Sequence, residues 1–197
     1  MKILHINTTD QHGGAETIAK ALFSSNTDNF FIVKSKNSTD DRILEFRKNF
    51  IDLFFTLLSK LKWRYKPDYS LKKILFLEEE FNCTYQKLKK LKEYQVADII
   101  HLHNIHGGYF DLSALKEIAK EKKIVWTLHD MWCMTGGEAY TFENENYKIG
   151  IGQTPYLHVP PLCNPIIDRR QYYLQEKKKI YSKISDNIYF VSNSKWL

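Results

Sequence analysis

At 197 residues, 43% apolar and 26% charged, the sequence has the make-up of one globular domain with its own core, which excludes a disordered or fibrous chain. The net charge of +6 is uneven: the stretches Arg47 to Lys66 and Arg169 to Lys183 carry +10 between them and leave −4 elsewhere, so an anionic partner is met by particular faces. The polar turn after Met1-Lys2-Ile3-Leu4-His5-Ile6 rules out a signal-peptide core, and no apolar run reaches the roughly 18 to 20 residues of a membrane span. Cys83, Cys133 and Cys163 form no CxxC pair and read as reduced structural thiols of a cytosolic protein.

In chain order, short runs rich in Ile, Val and aromatics recur at Ile3 to Ile6, Phe30 to Val33, Asp98 to Leu102, Ile124 to Leu128 and Ile188 to Val191, and read as buried strands. Between them lie helical patterns: Ala15, Ile18, Ala19 and Leu22 fall on one face, as do Leu112, Leu115, Ile118 and Ala119. Alternation of this kind predicts an α/β fold with an open parallel sheet covered on both faces, its ligands bound outside the carboxyl ends of the strands.

The stretch from about 41 to 94 departs from alternation and is expected to be a helical insertion without a strand. Within it, the nearly continuous apolar run Phe50 to Leu61 passes into a basic end of Lys60, Lys62, Arg64 and Lys66 with Trp63 and Tyr65 interleaved. Such a segment suits either a core helix with a solvated basic end or a helix lying on anionic lipid. Arg169 to Lys183 aligns Tyr173, Leu174, Ile180, Tyr181 and Ile184 on one face, broken by Lys177. This is an amphipathic helix whose charged side can also meet lipid head groups. No recognition motif for nucleic acid accompanies the charge.

Three strand ends carry the residues with chemistry. After the first comes Asp10-Gln11-His12-Gly13-Gly14-Ala15-Glu16 and then a helix. Two glycines allow either a tight turn alone or close approach of a phosphate to a helix N-terminus. The spacing fits neither GxGxxG nor the P-loop. After the third comes His101-Leu102-His103-Asn104-Ile105-His106-Gly107-Gly108. His101 and His103 share a strand face, and with His106 they resemble the HxHxDH metal ligands of metallo-β-lactamase-type hydrolases, except that Ile105 stands where that motif has aspartate. After the fourth comes His129-Asp130, whose imidazole suits proton transfer or sugar hydroxyls. Neighbours on extended backbone point apart, so no relay between these two side chains is expected.

Taken together, Gly13-Gly14-Ala15-Glu16, His101-Leu102-His103-Asn104-Ile105-His106-Gly107-Gly108-Tyr109, Trp126-Thr127-Leu128-His129-Asp130-Met131-Trp132, Thr135-Gly136-Gly137 and Ser194-Lys195-Trp196-Leu197 resemble the N-terminal half of family-4 glycosyltransferases, in the branch used for bacterial capsule, exopolysaccharide and lipopolysaccharide assembly. The resemblance implies one Rossmann-like half of a GT-B fold, retention of anomeric configuration, and neither metal nor other cofactor. It implies His129 and Asp130 as catalytic residues, and Gly13, Gly14, Glu16, His103, Asn104, Gly136 and Gly137 as substrate-binding ones. The partners implied are a nucleotide-sugar donor and a glycan or lipid-linked acceptor at the inner face of the membrane, with peripheral anionic lipid contact.

This chain differs from the branch where a GCGxCP-like run is usual, having Gly150-Ile151-Gly152-Gln153-Thr154-Pro155. It stops at Leu197, where the resemblance places the crossing into a donor domain, so residues 1–197 are expected to form one acceptor domain, inactive alone. The alternatives are a metal-dependent hydrolase using His101, His103 and His106, and a non-enzymatic basic membrane-surface module.

Overall fold

A computed structural model describes residues 1–46, 77, 80–142, 144–152 and 167–195. Strand β1 (Ile3–Thr9) leads into α1 (Gly14–Ser24), β2 (Phe30–Ser35) and β3 (Ile43–Glu45), followed by the short helices α2 (Thr84–Lys89) and α3 (Lys92–Val96). Then come β4 (Ile99–Leu102), α4 (Ala114–Glu121), β5 (Lys123–Leu128), α5 (Arg170–Lys183) and β6 (Ile188–Ser192), with 3-10 turns at Trp132–Met134 and Asn146–Ile149.

The six strands form one sheet in the order β3-β2-β1-β4-β5-β6, and every pairing is parallel. This is a Rossmann-like open α/β sheet, as the strand and helix alternation predicts. Side-chain alternation divides the core. Phe31 and Val33 of β2 face Ala19 and Phe23 of α1, and Ile32 faces the opposite layer. There Leu4, Ile6, Ile100, Leu102, Ile124 and Trp126 meet Leu115 and Ile118 of α4 and Tyr173 and Ile180 of α5. Each fully buried Leu or Ile contributes about 1.5–3 kcal/mol relative to exposure.

Two expectations are corrected. The 41–94 stretch holds a strand, β3, whose Ile43 pairs in register with Phe31. Three residues are too few to show a period of two, and only the neighbouring strand reveals it. The last strand is not a buried one: Ile188 is buried, but Tyr189, Phe190 and Val191 are exposed, because β6 borders the sheet. The apolar run Phe50 to Leu61 and its basic continuation lie outside the described residues. No helix among the described residues is long and apolar enough to cross a membrane.

Candidate functional site

The strand order reverses between β1 and β4, and the crevice at the carboxyl ends of these two strands is where an open α/β sheet takes its ligand. The two loops there are tied together. Thr8 Oγ1 donates to the Asn104 carbonyl at 3.0 Å, and the Asn104 N–H donates to Asn7 Oδ1 at 3.0 Å. Asp10, fully buried, accepts the N–H groups of Asn37 at 2.7 Å and Ser38 at 2.9 Å, which fastens the chain after β2 to the same edge. Those hydrogen bonds hold the Asp10 carboxyl below its ordinary pKa despite its burial, which pushes the other way.

Gly13 and Gly14 are exposed at the start of α1. Gly13 has extended backbone, φ 177°, open to any residue, and the left-handed position of this loop is taken by His12 at φ 74°. A Cβ on Gly14 would meet nothing within 4 Å. Turn geometry therefore leaves the glycine pair unexplained, and packing among the described residues leaves Gly14 unexplained. The Glu16 carboxylate lies back across Gly13, so that a Cβ there would fall 2.1 Å from Glu16 Oε2. An acidic side chain in the first turn is stabilised by the helix dipole, and here it occupies the ground an incoming anion would take. Beside it, a hollow of about 330 Å³ between Asp10, His12, Glu16, Thr17 and Lys20 is of small-ligand size.

At the end of β5, His129 and Asp130 point to different partners, as expected. His129 Nε2 lies 3.0 Å from His103 Nδ1, while Asp130 Oδ2 lies 3.0 Å from His106 Nε2 and Asp130 Oδ1 accepts the Trp132 N–H at 2.8 Å. The space enclosed by His103, His106, His129, Asp130 and Trp132 is about 10 Å³. That is room for about one water, so a larger ligand can meet these groups only from the rim. Burial lowers the His129 pKa, and the nearby Asp130 and Glu16 carboxylates draw it back up.

Behind His129 stands a ladder of imidazoles on adjacent strands. His5 of β1 is in register with His101 of β4. His5 Nδ1 lies 3.3 Å from His103 Nε2, the rings of His101 and His103 stack with centroids 4.5 Å apart, and His101 Nε2 bonds Thr127 Oγ1 at 2.8 Å. Burial, reinforced by the neighbouring imidazoles, lowers His5 to about 3, His101 to about 4 and His103 to about 2. Unfolded, each would titrate near 6.5. Below that pH the unfolded chain binds more protons, so this contribution to stability is complete above about pH 6.5. It is lost as pH falls toward the folded values, by about 1.4 kcal/mol per pH unit for each group. Urea midpoints are accordingly expected to drop between about pH 7 and pH 5. An unchanged midpoint would mean that the ladder is open to water.

The residues singled out in the sequence divide into two sets. Gly13, Gly14, Glu16, Asn104, His129 and Asp130 gather on the exposed or half-buried edge. His103 is 1% exposed and stands behind His129 instead of on the cleft surface. Gly136 and Gly137 are buried, and a Cβ on Gly136 would fall 2.5 Å from the Arg170 carbonyl oxygen, so at that position glycine serves the packing of α5. The alternative metal trio of His101, His103 and His106 does not converge, because His106 is turned onto Asp130. His5, His101 and His103 do bring one nitrogen each within 4.8 Å of one another. Yet lone pairs lie in the ring planes, and the 28° stacking of His101 on His103 aims theirs side by side, not at a tetrahedral centre.

The break in the α5 stripe is resolved as well. Lys177 is 1% exposed, sits 3.6 Å from the centroid of the Trp132 ring, and donates to the carbonyls of Trp132 and Thr135. Arg170 is also buried and Arg169 pairs with Glu80 at 2.9 Å, which leaves Lys178, Lys179 and Lys183 as the exposed cations of this helix. Sequence reasoning missed His5 and Asn193, whose Nδ2 lies 3.4 Å from His129 Nδ1. Only strand order brings these two to the site; period-two alternation alone places His5 on a face without saying what stands opposite.

The fold and its polar strand-end edge define a Rossmann-like α/β protein with a crevice at the switch point. No protein-family profile matches the chain. Over 94 residues it is 29% identical to "Putative colanic acid biosynthesis glycosyl transferase WcaC" of Escherichia coli (strain K12). That span takes in 44% of this chain and 22% of that protein, a distant relationship to a glycosyltransferase.

Proposed function

We propose that this chain is the acceptor-side, Rossmann-like half of a retaining family-4 GT-B glycosyltransferase. In this reading it serves cell-surface polysaccharide synthesis, passing a hexosyl group from a nucleotide-sugar to a glycan or lipid-linked acceptor at the inner face of the membrane, and is inactive without a donor domain. The observation that carries the reading is the gathering of Gly13, Glu16, Asn104, His129 and Asp130 on one edge across the β1/β4 crevice.

In this assignment His129 and Asp130 flank the transferred sugar, and the exposed glycines at the head of α1 let the donor phosphates come close. Helix N–H groups fixed in advance stabilise the charge that develops on a departing nucleoside diphosphate, most effectively when a second wall closes the cleft and excludes water. The reading is tested with the complete reading frame that contains this chain. Labelled nucleotide-sugars are expected to give a glycosylated acceptor with the donor's anomeric configuration, and an inverted product would reject the retaining assignment.

Glu16 gives a second test. Because its carboxylate lies across Gly13, Glu16→Gln is expected to tighten pyrophosphate binding about two- to fivefold, the worth of removing one like charge from a helix N-terminus. Isothermal titration measures it. Equal affinities in both proteins would place the phosphate elsewhere.

A further inference from the structure

Building on the reading that a sugar occupies the rim, we propose that His5 and His103 act as positioning residues, fixing His129 as the Nδ1–H tautomer so that it donates a hydrogen bond to a neutral sugar hydroxyl. The inference starts from proton counting. A neutral imidazole has one N–H and one lone pair, so each junction of the chain His5 Nδ1 to His103 Nε2 to His103 Nδ1 to His129 Nε2 can hold one proton. Only two orders satisfy both junctions. Either every ring is protonated on Nδ1 and the last N–H emerges at His129 Nδ1, or every ring is protonated on Nε2 and the last N–H is stranded at His5 Nε2.

The surroundings choose between them. His5 Nε2 is buried without a hydrogen-bond partner among the described residues, and its ring is packed edgewise against Phe23 and Phe31. The two phenyl rings offer a water none of the 2–4 polar partners it needs. An orphaned buried N–H is the rarer defect and costs about 1–3 kcal/mol. At the other end the proton has partners. His129 is half-buried at the rim, and Asn193 stands 3.4 Å from its Nδ1, an amide that presents its oxygen when turned about. Burial keeps His5 and His103 neutral at pH 7, so the chain keeps one proton per ring.

The class of ligand follows from charge. The groups acting on His129 from outside the ladder are the Asp130 and Glu16 carboxylates, which repel an anionic oxygen and tolerate a hydroxyl. His129 is thereby assigned to a sugar hydroxyl, and the phosphates to the head of α1.

The experiment is a long-range proton–nitrogen correlation spectrum of the uniformly 15N-labelled 197-residue chain at neutral pH, with His129 assigned by the signals that vanish in His129→Gln. Protonated Nδ1 and bare Nε2 are expected on His5, His103 and His129 alike. A proton on Nε2 of His129, on both its nitrogens, or averaged between them overturns the proposal. In His103→Leu the lock is expected to be lost and the His129 signals to average. A folded variant in which His129 keeps its single tautomer would remove the positioning role, and if the variant fails to fold, the three rings of the wild-type chain decide. Failure of the complete enzyme to transfer sugar would overturn the functional reading and leave the proton order as measured.

Discussion

Arg170→Met is expected to lower the free energy of unfolding by about 3–5 kcal/mol, the usual cost of leaving one member of a buried ion pair without its partner. Arg170 and Glu138 have side chains 3% and 1% exposed and meet at 3.2 Å, and Asp168 adds a second carboxylate at 2.6 Å. The Asp168 and Glu138 carboxylates raise the Arg170 pKa despite its burial, which works against them. Removing the guanidinium takes from the Glu138 carboxylate the cation it meets there, in a place that water does not reach. A loss of this size is a large share of the 5–15 kcal/mol that usually holds a domain together, so the urea midpoint should fall steeply. The double variant Arg170→Met/Glu138→Leu is expected to recover most of it, because a buried pair replaced by apolar groups of similar volume is often neutral. If the double variant were as unstable as the single one, packing of Arg170 and not charge would be the cause.

On the proposed function, His129→Ala is expected to lower kcat at least about tenfold in the complete reading frame, a floor beneath the roughly 10²–10⁴-fold that a positioned catalytic group usually contributes. The side chain is half-buried at the rim of a slot too small for a sugar, so the proposed function has it meet substrate from one side only. If that contact strengthens as the glycosidic bond breaks, the loss appears in kcat; if it only holds the ground state, KM rises instead. His129→Gln keeps an amide donor and is expected to recover part of the rate. Unchanged kinetics in His129→Ala would leave the imidazole a structural member of the ladder.

The strands rich in Ile and Val were legible because apolar runs of four or five residues with turn signals between them have few other readings. β3 was not, since a three-residue border strand carries no pattern of its own. At the site, period-two spacing placed His101 and His103 on one face, which the stacked rings bear out. It could not show that His103 faces inward to His5, because the neighbour of β4 is β1, and strand order depends on the whole chain. Lys177 marks the same limit. A lysine in an apolar stripe reads as a fault until the carbonyls of Trp132 and Thr135 are seen turned toward it. The TGG run was recognisable as a motif, but only the backbone of Arg170 against Gly136 shows that packing requires its small size.

The central pairing of the sheet also bears on how the molecule comes to be made. β1 joins β4 with Ile3 beside Ile99, so the crevice between them closes only after most of a hundred intervening residues have been synthesised. Loop-closure entropy makes such distant parallel pairings slow, whereas β1 and β2, with Leu4 beside Phe30, can meet much sooner. A chain emerging from the ribosome therefore holds β1, the glycine loop and α1 long before it holds His101, His103, His106 and His129. The polar edge is thus completed late in folding, and a product cut short before β4 would carry the head of α1 without the β4 loop beside it.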